Sequence, residues 1–118
     1  MKRCMLVWQI QTIAGEHYSP IMYAINIRKA KQFIKELNYS FKNNNMDWEC
    51  VLDESGCTLN EIFSSQYQLT IFAPEAKTRL WLYKKDLQKM KGNSYYLDYM
   101  EYNNVQLKKL IKFIGKFS

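Results

Sequence analysis

Residues 20–45 read PIMYAINIRKAKQFIKELNYSFKNNN, and the fold turns on how this stretch divides. Ile21 to Ile25 is an apolar run of five residues opened by Pro20, which suits the first position of a strand because no N–H is needed there. Asn26 then reads as an N-cap, its side-chain oxygen placed to accept from the free N–H groups of a first helical turn. From Ile27 onward the periodicity is helical: Ile27, Ala30, Ile34, Leu37 and Phe41 step by three and four and make one apolar stripe. Arg28, Lys31, Lys35 and Lys42 repeat beside it as a basic stripe. Asn43-Asn44-Asn45 ends the helix, since Asn competes for backbone hydrogen bonds and tolerates left-handed dihedrals.

On that division the stretch supplies a strand and then a helix, and the strand pairs backwards. Met5 to Thr12 (MLVWQIQT) alternates, with Leu6, Trp8 and Ile10 on one face. Gly15-Glu16-His17 breaks it, so the two runs are expected to form a hairpin with a loop longer than two residues. Downstream, Asp47 to Leu52 (DWECVL) alternates with Trp48, Cys50 and Leu52 inward. Ser55-Gly56 is a turn, and Thr58-Leu59-Asn60-Glu61 matches a capping box at the head of a short helix. Tyr67 to Phe72 is a further strand. Residues 75–91 fit a helix between Pro74 and Gly92, which is preferred, or a hairpin arm at 78–83 pairing with 67–72. Ser94 to Tyr102 reads as a strand, and Asn104 as the cap of a last helix lined by Leu107, Leu110, Ile111, Ile114 and Phe117. The expected class is α+β: a mostly antiparallel sheet of about five strands with helices packed mainly on one face.

The whole chain is one domain on this reading. Its 118 residues can bury roughly 65% of their unfolded surface, enough for a core without staples. Composition agrees, at 47% hydrophobic with only 4 Gly and 2 Pro. No apolar run reaches membrane-span length and no signal-peptide pattern opens the chain, so the expectation is a cytoplasmic protein with no transmembrane segment.

The net charge of +6 is unevenly placed. Residues 1–42 hold seven basic and two acidic residues, residues 43–76 hold six acids and no Lys or Arg, and residues 77–118 hold ten basic and three acidic. An acidic middle third does not fit a uniformly basic nucleic-acid coat.

Catalytic signals are sparse. His17 is the only histidine, and nothing local pairs it with a nucleophile or a second acid/base group. Cys4, Cys50 and Cys57 match no zinc spacing and read as buried thiols, a Cys50–Cys57 bridge being sterically conceivable. The acids Asp47, Glu49, Asp53 and Glu54 lack the ligand spacing of a calcium loop, and the four glycines build no phosphate loop. No cofactor and no metal are expected.

Binding signals are better represented. Asp47, Glu49, Asp53 and Glu54 could form an acidic docking patch, and Tyr96 and Tyr102 on one face of the expected strand, with Tyr99 on the other, could supply an exposed aromatic row. The leading expectation is a small non-enzymatic module, an inhibitor or immunity (antitoxin-type) protein that neutralises a partner protein through those seven residues. In scale and in its strand-hairpin-helix opening the chain is similar to small bacterial immunity proteins. A second expectation is a nucleic-acid binder contacting phosphates through Arg28, Lys31, Lys35 and Lys42 and stacking bases on exposed tyrosines of the 94–102 strand. A third is a ribonuclease-like enzyme that uses His17. The C-terminal lysines Lys108, Lys112 and Lys116 repeat opposite an apolar stripe, the pattern of a surface helix packed on a sheet.

Overall fold

A computed structural model describes residues 2–8, 20–52, 67–77, 88 and 92–116. Strand β1 spans Lys2–Val7, helix α1 Pro20–Asn43 and strand β2 Trp48–Leu52. Strand β3 spans Leu69–Phe72 and is followed by one helical turn, α2, at Pro74–Lys77. Strand β4 spans Asn93–Tyr96, helix α3 Tyr99–Asn103 and helix α4 Lys108–Gly115. The four strands form one sheet in the order β2-β1-β3-β4, and every pair is parallel.

The antiparallel expectation is therefore wrong, and residues 20–25 are the reason. They are the first turn and a half of α1, with Pro20 in the helical first position rather than at a strand start. Five apolar residues cannot by themselves distinguish strand from helix. Their apolar character does not reflect burial either, since Ile21, Met22, Tyr23 and Ile25 are all exposed. With no hairpin, the chain leaves β1 and returns as β2 by a helical crossover, the connection that parallel neighbours require. The likeness to strand-hairpin-helix immunity proteins falls with the hairpin. Asn26 is no cap: it lies inside α1 and is buried.

The end of α1 follows the expectation. Asn45 is left-handed at φ 53°, Met46 N–H donates to Phe41 C=O at 2.9 Å, and Asn45 N–H donates to Lys42 C=O at 3.2 Å. These are the two bonds of a Schellman cap, with Asn in the left-handed position.

The buried stripe of α1 is Asn26, Ala30, Phe33, Leu37 and Phe41, so Phe33 takes the place expected of Ile34, which is only partly buried. This stripe packs on Cys4, Leu6, Trp8, Trp48, Cys50, Leu69, Ile71 and Tyr95, one face of the sheet. Leu110 and Ile114 of α4 join the same core. The other sheet face is not left open. Met5, Val7, Thr70 and Phe72 alternate onto it and are buried as well, which removes the exposed face expected of a one-sided sheet. Among them the Thr70 hydroxyl has no hydrogen-bond partner.

Two expectations about the second half need correction. The run 94–102 is not one strand: it stops at Tyr96, and Asp98 caps α3. The Asp98 carboxylate accepts from Glu101 N–H at 2.7 Å, and the Glu101 carboxylate reaches back to Asp98 N–H at 3.4 Å. Asp98-x-x-Glu101 is thus a capping box inside a β-prone sequence. Asn104 ends α3 instead of starting α4, whose N-cap is Leu107 with no side-chain cap bond. In the segment after β3, residues 74–77 and Gln88 are helical, and β3 has both edges occupied, by β1 and β4. The alternative arm at 78–83 lies outside the described residues. The expected turn and capping box at 55–61, with Ile10 and Phe117, lie outside the described residues.

Candidate binding surface on helix α1

Among the described residues, the acids and tyrosines expected to form a partner site do not come together. Asp47 and Glu49 are exposed at β2, one edge of the sheet, while Tyr96 sits on β4, the other edge. Three strand spacings separate those edges, about 14 Å. Glu49 is already engaged by Arg3, Nε to Oε1 at 3.5 Å, a half-exposed pair that contributes little to stability. Tyr96 is partly covered by stacking on Phe72, ring centroids 5.3 Å apart. Tyr99 is exposed, but Tyr102 is buried against Phe33 with centroids at 5.3 Å and adds no exposed ring to the row. The aromatic row dissolves because its middle is a helix start, which rotates successive side chains by about 100° instead of 180°. Asp53, Glu54, His17 and Cys57 lie outside the described residues.

Two buried polar groups deserve a chemical reading. Cys4 and Cys50 are free thiols, buried and directly opposite one another in the β1–β2 register. The Cys4 side chain beside it, and then burial, push the Cys50 thiol well above the ordinary cysteine range, so it stays a neutral packing group. Tyr95 donates from its hydroxyl to Glu101 Oε2 at 2.6 Å. Burial, reinforced by that carboxylate, raises the Tyr95 hydroxyl far above its usual titration. Both groups are held in their inert forms. Among the described residues no cluster of His, Cys, Asp or Glu could hold a metal ion. No described helix is long and apolar enough to cross a membrane.

The four basic residues expected to lie together do so. Arg28, Lys31, Lys35 and Lys42 are exposed along α1. At about 100° per residue they fall within an arc of about 60°, roughly opposite the buried stripe, and run about 21 Å along the axis. No ion pair forms at any of the four among the described residues. Their only acidic helix neighbour, Glu36, accepts from Gln32 Nε2 at 3.2 Å.

The N-terminal end of the same helix carries a second feature that the sequence reading assigned to a strand. Ile21 is 73% exposed, and Met22, Tyr23 and Ile25 are each more than 40% exposed. Tyr23 packs edge-on against Trp8, ring centroids 5.1 Å apart. Helix α1 thus presents an apolar end continuous with a cationic flank. The apolar exposure was not readable from sequence, because an apolar run is ordinarily a buried one.

Comparison with known proteins finds no matching family model, no matching curated protein and no matching solved structure.

Proposed function

We propose that this protein is a non-enzymatic binding module that engages the acidic surface of a partner protein through the outward side of α1. The observation that carries the reading is the joint exposure of Ile21, Met22, Tyr23 and Ile25 beside Arg28, Lys31, Lys35 and Lys42, which make no ion pair among the described residues. Exposed apolar groups rimmed by charge are the usual composition of a protein interface, with apolar contact supplying affinity and charge supplying steering and register. An inhibitor or immunity-type protein, which acts by occupying its target, is the form of this reading that needs no catalytic group. The acidic patch of the sequence reading is replaced by a basic one. We place the protein in the cytoplasm, a compartment that keeps the facing thiols of Cys4 and Cys50 reduced.

The cationic stripe also supports a nucleic-acid reading, because four exposed cations in line could neutralise phosphates. Two observations disfavour it. The apolar end has no role against a phosphate backbone. Tyr96, the base-stacking candidate, shares the sheet face of Val7 and Phe72, whereas α1 packs on the opposite face.

The test is affinity capture from the cell of origin, with and without nuclease, using the natural protein and a Lys31→Glu/Lys35→Glu variant. A single protein retained after nuclease and lost with the variant is the expected result. Capture that disappears with nuclease overturns the reading in favour of nucleic acid, and capture unaffected by the variant removes α1 from the interface.

A further inference from the structure

The outward side of α1 is not flat. A groove of about 400 Å³ runs between α1 and the corner joining α3 to α4. Ile25, Arg28 and Lys29 form one wall, and Tyr102, Asn103 and Val105 the other. Its volume lies in the lower part of the range of ligand pockets, enough for one or two side chains. No acidic side chain lines it among the described residues.

The chemistry of the walls is two-fold. Arg28 makes no ion pair among the described residues, and its planar guanidinium suits bidentate contact with a carboxylate. Lys29 lies on the same wall and donates from Nζ to Asn103 Oδ1 at 3.3 Å, across to the opposite wall. The apolar part is Ile25 and Val105, with the buried Tyr102 beneath them. Val105 is an unusual residue for its position. It sits at φ 50°, the left-handed conformation ordinarily left to Gly or Asn, and closes α3 through Gln106 N–H to Glu101 C=O at 2.9 Å. A β-branched side chain there is strained, and it places an isopropyl group on the groove wall where glycine would leave a gap. Ile21 and Ile25 are one turn apart, so the exposed apolar end of α1 leads into the groove along the same side of the helix.

We infer that this groove is a recognition slot for an extended acidic segment of the partner protein that also carries an apolar side chain. The inference rests on the reading of α1 as the binding face. The apolar side chain enters between Ile25 and Val105, and a flanking carboxylate meets Arg28. From Ile21 to Gln32 the helix rises about 16 Å, the span of about five extended residues.

The experiment uses the full chain and a blocked pentapeptide of alternating glutamate and leucine, titrated with amide NMR detection at low salt. Saturable shifts at residues 28–29 and 102–105 are expected, with pentaglutamate binding about tenfold more weakly because it brings charge without apolar contact. Arg28→Glu should lose about tenfold or more in affinity, whereas Lys2→Glu, the same charge change at an exposed position on β1 outside the α1 face, should lose little. Val105→Gly keeps the left-handed turn and should also weaken the leucine peptide. Equal losses from Arg28→Glu and Lys2→Glu would show general charge attraction without a slot and overturn the proposal. Absence of saturable binding, or equal affinity for pentaglutamate, overturns it too. Failure of the broader reading shows separately, as capture insensitive to Lys31→Glu/Lys35→Glu.

Discussion

Asn38 holds the backbone of Cys50 at both of its polar groups: its Oδ1 accepts from Cys50 N–H at 2.8 Å, and its Nδ2 donates to Cys50 C=O at 3.1 Å. Cys50 lies on β2, the edge strand, where backbone groups otherwise face outward without partners. One side-chain amide on α1 thus does what a neighbouring strand would do. It ties the crossover helix to the strand it delivers and blocks the edge against another chain.

Replacement of Asn38 should therefore destabilise the fold. Asn38→Ala removes two half-buried hydrogen bonds and is expected to cost about 1–3 kcal/mol. Asn38→Asp should do no better, because a carboxylate can accept from Cys50 N–H but repels its carbonyl. Urea unfolding should show a lower midpoint at unchanged slope. An unchanged midpoint for Asn38→Ala would mean that water replaces the side chain without loss.

Gly92 is fixed by space as well as by conformation. It has φ 80°, and a Cβ there would lie 2.5 Å from Tyr67 C=O oxygen and 2.7 Å from Gln68 C=O oxygen. Those are backbone atoms at the entry to β3, and Gln68 C=O also accepts from Asn93 N–H at 3.0 Å. Gly92→Ala should exceed the roughly 1–2 kcal/mol attached to left-handed backbone alone, because the start of β4 must move off β3. Thermal unfolding measures it. A loss below about 1 kcal/mol would show that the contact yields easily.

The Tyr95–Glu101 bond makes stability sensitive to alkali. The folded state holds Tyr95 protonated well beyond the ordinary tyrosine value of about 10. A raised pKa contributes stability that is complete below the unfolded value and is lost as pH climbs beyond it. Cys50 is shifted the same way and adds to the loss above its own ordinary range. The melting temperature should stay level from neutral pH to about 9 and then fall. Tyr95→Phe should flatten part of that fall while lowering stability at pH 7, since it leaves a buried carboxylate without its donor.

Core truncation separates the stripe read from sequence from the one the fold uses. Phe33 and Ile114 are fully buried, and Ile34 is only partly so. Phe33→Ala and Ile114→Ala should each cost about 3–5 and 2–5 kcal/mol respectively, and Ile34→Ala distinctly less. Equal losses at positions 33 and 34 in chemical denaturation would place the helix face wrongly.

Much of this fold was legible where periodicity was long. The helical phase from Ile27 to Phe41, the Asn-rich stop, and the inward set Trp48 and Cys50 all follow from spacing repeated over several turns or a full strand. Short runs were not legible. Ile21 to Ile25 looked like a strand because its apolar residues were assumed to be buried, and that one assignment reversed the sheet from parallel to antiparallel. In SYYLDYMEY the β-propensity of four tyrosines hid the Asp98–Glu101 capping box, so a helix start passed for a strand end. The candidate site suffered from the same two errors. The basic stripe was visible, being part of a long helix, but its apolar extension was credited to the core and Tyr102 to the surface.

The central claim, that α1 and its groove face the partner, is tested most directly by photo-crosslinking in the cell of origin. A photoreactive amino acid replaces Gln32 beside the groove, Glu49 on the β2 edge, or Tyr96 on the opposite sheet face. Crosslinks to one protein from position 32, and none from positions 49 or 96, are the predicted result. Crosslinks from position 49 or 96 with position 32 silent, or crosslinks to nucleic acid from position 32, would contradict it.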